Sequence, residues 1–241
     1  MDEQLIRSFS AITEEEQRLL AGGALRMEDY TCDASATIKG QRLLPRDRMI
    51  TVRPHTRFAS FPPHSHDYVE AMYMLHGQAT HLLADGERVT LHAGELIFLN
   101  RQTTHAIEQC GADDVAVNLI VQPEFFDFAL EMVGAENVLG RFLLDALRKG
   151  ESSVPYLYFR IADVPAVQCL LQSMLYSFLG GEHRRVHRVE MGLLFLHLLS
   201  HSDRMRLSTS VQPSNQLAVT LLAELRTNFA RFTIKVCAEK H

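Results

Sequence analysis

Between residues 69 and 121 apolar positions recur every second residue, in runs too short for helices: VEAMYML (69–75), ATHLLA (79–84), ERVTLH (87–92), ELIFL (95–99) and VAVNLIV (115–121). Side chains of a strand alternate between two faces, so these runs build sheets, and short strands need several neighbours to close a core. Gly77, Asp85-Gly86 and Ala93-Gly94 punctuate them. Asp85-Gly86 predicts a two-residue hairpin, because a type I′ turn needs positive φ at both positions. Strands at this spacing predict an antiparallel sandwich or barrel.

The period is helical on both sides of this block. Leu5, Ile6, Phe9 and Ile12 recur at helical spacing, and Thr13 with Glu16 fits a capping box. PEFFDFALEMV, from Pro123, opens with proline at a helix start and acidic residues in the first turn. Residues 136–149 continue helical, and YLYFRI (156–161) reads as one isolated strand. Val164, Val167, Leu170, Leu171, Met174, Leu175 and Phe178 form an apolar stripe that ends at Gly180-Gly181. Val186, Val189, Leu193, Leu196 and Leu199 suggest a second helix, and Leu217, Leu221, Leu222, Leu225 and Phe229 a third. The polar stretch 202–216 reads as a loop. The expectation is an α+β chain. An N-terminal helical arm (1–48) precedes an antiparallel β-barrel (49–122). A helical subdomain (123–229) and a short final segment (230–241) follow.

Net charge is −5, without the basic balance of a chain that grips DNA by itself. No apolar run reaches the roughly 18 residues of a membrane span, and the acidic N-terminus does not resemble a secretory signal. Cys32, Cys110, Cys169 and Cys237 have no close pairing and read as reduced thiols of a cytoplasmic protein.

HSHDYVEAMYMLHG (64–77) is where chemistry concentrates. His64 and His66 share a strand face, and Glu70 has the same parity. Four residues of straight strand span roughly 13 Å, so one ion can touch His66 and Glu70 only if the chain reverses between them, with Asp67 as a suitable turn residue. Pro62-Pro63 limits the preceding strand. His105 follows the next hairpin and could return to the same mouth. Three imidazoles and a carboxylate suit a first-row divalent ion (zinc, nickel, manganese or iron). The alternative is a metal-free pocket in which the same side chains hydrogen-bond a small molecule. Met72 is either core or part of an adaptable pocket wall. His197 and His201 lack the intervening glutamate of a zinc-protease helix, and the basic run His183, Arg184, Arg185, His187 and Arg188 reads as a solvated face or a contact to an anion or partner.

The spacing of His64, His66, Glu70 and Gly77, with Gly94 and His105 as a second motif, resembles the cupin superfamily, although Asn100 stands where many cupins have proline. Followed by helices, and with VNLIVQPEFF and the ending LRTNFARFTIKVCAEKH, the order resembles the arabinose-regulator (AraC) family of bacterial transcription factors. The resemblance implies a jelly-roll sensor that binds a small-molecule effector beside His64, His66, Glu70, Met72 and His105. It implies a homodimer built on one of the helical stripes and no enzyme activity. It implies DNA contact only through a helix-turn-helix region, of which residues 230–241 would be the start, with Thr233 as cap. A metal-dependent cupin enzyme, a dioxygenase or isomerase, is the competing expectation.

Overall fold

The computed structural model describes residues 2–31, 36–84, 86–148 and 153–207. The expected third helix, Thr233 and the segment 230–241 lie outside the described residues, as do Cys32, Cys237 and Asp85.

The period-two runs form strands of two sheets. β1 (Thr37–Ile38), β3 (Phe61–His66), β5 (Gln78–Leu83), β6 (Arg88–His92) and β8 (His105–Ile107) make one, in the order β1-β3-β8-β5-β6. β2 (Ile50–Pro54), β4 (Val69–His76), β7 (Leu96–Leu99), β9 (Val115–Val121), β10 (Tyr156–Phe159) and β11 (Met205–Leu207) make the other, in the order β11-β10-β7-β4-β9-β2. All pairs are antiparallel except β1 with β3. The architecture is the expected α+β jelly roll with helices at both ends of the chain.

Three expectations are corrected. YLYFRI is not isolated: Tyr156–Phe159 pairs with β7 on one side and β11 on the other. Its Leu157 and Phe159 face the helices while Tyr156 and Tyr158 face the second sheet, and an alternating strand buried on both faces has no reason to stand alone. The polar stretch 202–216 is not loop throughout, since Met205–Leu207 closes that sheet edge. Pro62-Pro63 does not end the strand; both lie inside β3 on exposed positions, where a register shift between Phe61 and His64 absorbs the missing donors.

The six-stranded sheet is covered on both faces, which explains why β4 is buried from Val69 to Leu75. Val69, Ala71, Tyr73 and Leu75 face the helices, and Met72 and Met74 belong to the core between the sheets. The helical layer comprises α4 (Asp127–Val133), α5 (Val138–Leu147), α6 (Pro165–Leu179) and α7 (Arg184–Ser200), preceded by a 3-10 turn at Pro123–Phe126. On α6 the expected stripe is core: Val167, Leu171, Met174 and Leu175 are buried. On α7 the expected stripe is split: Leu196 and Leu199 pack half-buried against the core, but its first three residues do not. Val186, Val189 and Leu193 are exposed, at 38%, 54% and 40%, while His187, Met191, Gly192, Leu194, Phe195 and Leu198 face inward.

The N-terminal arm is fastened to the barrel. α1 (Glu3–Ser10) buries Leu5 and Phe9 against the six-stranded sheet, and Ile12 falls beyond it, exposed. α2 (Glu14–Leu20) starts with the expected capping box. The Glu16 carboxylate that completes the box also receives Arg57 Nε at 2.7 Å, and α3 (Gly40–Leu43) follows where Asp67 Oδ1 accepts the Gly40 N–H at 2.7 Å.

Candidate metal and ligand centre

β3 ends at His66, Asp67 and Tyr68 turn the chain, and β4 begins at Val69 in the opposite sheet. That reversal brings Glu70 back beside the histidines. His105 stands directly across from His64 in the β3–β8 pair. His64, His66 and His105 are all buried and offer one nitrogen each within 4.8 Å of one another. Glu70 Oε2 lies 3.7 Å from His66 Nε2 and 3.6 Å from His105 Nε2.

Neighbouring groups orient these side chains. His64 Nδ1 is 2.8 Å from the Pro62 carbonyl and His105 Nδ1 is 3.3 Å from the Thr103 carbonyl. A carbonyl can only accept, so these contacts place the ring proton on Nδ1 and leave the Nε2 lone pairs for the centre. Asn118 Nδ2 donates to Glu70 Oε1 at 2.9 Å, fixing the carboxylate, and Tyr68 stacks on His66 with centroids 4.6 Å apart. Glu70 Oε2 and His105 Nε2 are buried without a hydrogen-bond partner. Orphaned lone pairs on a carboxylate and an imidazole that converge are costly unless a cation or donor occupies the space between them.

Electrostatics agree. Burial, reinforced by His105, pushes His64 down to about 4, and burial pushes His66 down to about 3. Burial would raise Glu70, but the His66 and His105 rings outweigh it and hold the carboxyl well below the usual carboxylate range. At neutral pH His64 and His66 are neutral imidazoles, each with one free nitrogen lone pair, and Glu70 is an anion. Nitrogen and oxygen donors already free of protons are what a divalent ion requires. The residues present therefore fit such an ion.

The centre opens on a cavity of about 40 Å³ lined by His64, His66, Glu70, Asn118, Phe61 and Tyr68, and by His55, Arg53, Thr56 and Tyr30. Tyr30 comes from the N-terminal arm. Its hydroxyl donates to Glu15 Oε2 at 2.5 Å, and its ring meets Phe61 edge-on at 5.0 Å. Met72 does not line this cavity; it lies fully buried in the core between the sheets, its sulfur 3.3 Å from His81 Nε2.

Sequence reasoning missed His55, His81 and Asn118. The His81 ring is 5.4 Å from that of His105, and burial drives its pKa well below the ordinary value. Its inward parity between Ala79 and Leu83 in ATHLLA was a usable signal. His55 and Asn118 gave none, because each reaches the cavity through the pairing of β2, β9 and β4 rather than through a local pattern. Asn100, in the place of the expected proline, is fully buried. It donates from Nδ2 to the Phe142 carbonyl at 3.0 Å, and its backbone N–H reaches the Pro155 carbonyl at 2.8 Å, a bond proline cannot make.

Cys110 and Cys169 are free thiols. Among the described residues no helix is long and apolar enough to cross a membrane.

No curated protein matches the sequence significantly. Several solved structures are similar to parts of it. Protein NMB1881 from Neisseria meningitidis shares 15% identity over 32% of this chain and 78% of its own, with a TM-score of 0.29. Wild-type ToxT from Vibrio cholerae, bound to an unsaturated fatty acid, shares 11% over 79% of this chain and 67% of its own, with a TM-score of 0.42. The DMSP lyase DddQ from Ruegeria pomeroyi shares 23% over 29% of this chain and 36% of its own, with a TM-score of 0.26. Residues 49–121 match the family described as "Cupin domain". That match and the two facing sheets give the barrel the fold of a cupin domain.

Proposed function

We propose that this chain is the ligand-sensing and dimerisation part of an AraC-type transcriptional regulator, acting in the cytoplasm, with a small-molecule effector taken up beside His64, His66, Glu70 and His105. The observation that supports this reading is the small cavity beside the histidines, to whose lining the N-terminal arm contributes Tyr30. About 40 Å³ holds no more than about three waters, so a larger organic molecule must shift the lining, which includes Tyr30, Arg53 and Thr56, or extend out of the cavity. Tyr30 and Thr56 both bond Glu15 of α2, so uptake of an effector is linked to the position of the arm. A ligand that favours the displaced arrangement by about 1–3 kcal/mol is enough for a regulatory output. The exposed Val186, Val189 and Leu193 of α7 make that helix the better candidate for a homodimer face. In this reading the output is the way a helix-turn-helix region is presented to DNA across the dimer.

His64, His66, His105 and Glu70 would hold a zinc, nickel, manganese or iron ion. Such an ion would supply a Lewis-acid position for an oxygen or nitrogen of the effector. The same donor set favours a second reading, a metal-dependent cupin dioxygenase or isomerase, over any other enzyme class.

The test combines elemental analysis of the purified protein, its His64→Ala and Glu70→Gln variants, and a thermal-shift screen of effectors. The sensor reading expects a ligand that stabilises the wild type, by about 2.7 kcal/mol at a hundred times its dissociation constant, without being consumed. Oxygen-dependent turnover accompanied by stoichiometric iron or manganese would establish the enzyme instead.

A further inference from the structure

A second cavity lies on the other side of the six-stranded sheet, where the chain enters β2 and α7 begins. It has a volume of about 90 Å³ and is lined by Asp47, Arg48, Met49, Ile50, Phe125, Arg184, His187 and Arg188. Arg48, Arg184 and Arg188 bring three positive charges against the single carboxylate of Asp47. Among the described residues none of the three arginines has an ion-pair partner. Arg188 lies over the Phe128 ring at 5.8 Å, a contact that uses its face and leaves its N–H edge available.

His187 makes this more than a basic surface. It is 1% exposed, yet neither ring nitrogen has a hydrogen-bond partner. Phe178 stacks flat on it, centroids 4.0 Å apart and planes 6° apart, so the ring is held in place. Glu190 Oε2 stands 3.5 Å from Nδ1 and accepts no hydrogen bond, while Oε1 takes the Ser177 hydroxyl at 2.8 Å. To hold an anion the ring must carry both protons, Nδ1–H facing Glu190 Oε2 and Nε2–H offered to an anion oxygen, a form that the carboxylate and the anion both favour. A buried imidazole without a partner costs stability unless something meets it. The cavity also lies at the first turn of α7, a helix of 17 residues whose dipole favours negative charge there.

We infer that this cavity is a binding site for a compact oxyanion, a phosphate or carboxylate group, held by Arg48, Arg184, Arg188 and His187, with Met49, Ile50 and Phe125 taking any short apolar portion. Guanidinium forks match the paired oxygens of either group. The site joins the barrel to the helices: Ile50 pairs with Val121, the Gln122 N–H donates to the Met49 carbonyl at 2.8 Å, and α7 supplies the opposite wall. It is separate from the histidine centre and does not depend on the regulator reading.

The experiment is calorimetric titration of the purified chain with inorganic phosphate and, separately, with butyrate. Saturable binding of either probe is expected; phosphate alone identifies a phosphoryl head and butyrate alone a carboxylate with an apolar tail. Arg184→Gln and Arg188→Gln, both at exposed positions, are expected to weaken binding about tenfold or more each, as lost charge-assisted hydrogen bonds do. Arg185→Gln removes the same charge one residue away from the cavity lining and is expected to leave binding unchanged. His187→Gln weakens it too, and the arginine variants carry the test if that buried substitution fails to fold. Saturation by neither probe, or equal weakening by Arg185→Gln and Arg184→Gln, would overturn the site in favour of a diffuse basic patch.

Discussion

Glu16→Gln is expected to destabilise the protein far more than a typical acidic-to-amide change. The carboxylate is 1% exposed and its partner Arg57 is 4% exposed. Oε1 accepts the Arg57 backbone N–H at 3.0 Å and Nε at 2.7 Å; Oε2 accepts Arg57 Nη2 at 3.0 Å and the Thr13 N–H at 3.0 Å. Neutralising it strands a buried guanidinium whose remaining acceptors are the Ala112 and Ser10 carbonyls. Removing one side of a buried, hydrogen-bonded pair costs about 3–5 kcal/mol, and the amide oxygen that remains places the expected loss near 3 kcal/mol. The exposed Glu3–Arg7 pair, one helix earlier, serves as control; Glu3→Gln should cost under ~0.5 kcal/mol. Urea denaturation at neutral pH gives both numbers. The pH dependence is a further check. Burial raises the Glu16 pKa, but hydrogen bonds from Arg57 and Thr13 win and leave it below its ordinary 4.5. A group lowered on folding stabilises fully above its unfolded value and loses that contribution as pH falls through its folded one. The gap between wild type and Glu16→Gln should therefore be constant above pH 4.5 and shrink below it. A loss under about 1 kcal/mol at neutral pH, or a gap that persists into acid, would show that this pair does not anchor the arm.

Gly77→Ala should cost at least about 2 kcal/mol, because φ is +74° and a Cβ would stand 2.3 Å from Asp114 Oδ1, whereas Gly86→Ala, at φ +83° with open space around it, should cost only the ~1–2 kcal/mol backbone penalty; thermal melts separate the two. Alkylation followed by peptide mapping should label Cys169, which is exposed, in the native protein. Cys110 should be labelled only after denaturation, since burial and Asp114 push its thiol up to about 12.

The sequence by itself determined the local structure. Period-two runs with glycine punctuation specify strands because side-chain alternation is a property of the extended chain, and Thr13 with Glu16 specifies a helix start because the box is closed within one turn. The pattern His-x-His with Glu70 after a turn residue singled out the side chains of the centre for the same reason. Tertiary structure decided everything that depends on what packs against what. A stripe of apolar residues does not say whether it faces core or solvent, so the residues 164–178 proved internal while Val186, Val189 and Leu193 of α7 were left exposed, the helix burying His187 and Gly192 instead. Asn118 joined the centre, and Met72 stayed out of its cavity, through strand pairing across two sheets. The proposed oxyanion cavity was likewise hidden: Arg48 and Arg184 are distant in sequence and line one cavity only because the chain entering β2 and the start of α7 come together in the fold. Alternation and capping are short-range and can be read from neighbours along the chain, whereas burial and shared cavities are set by contacts between residues far apart in it.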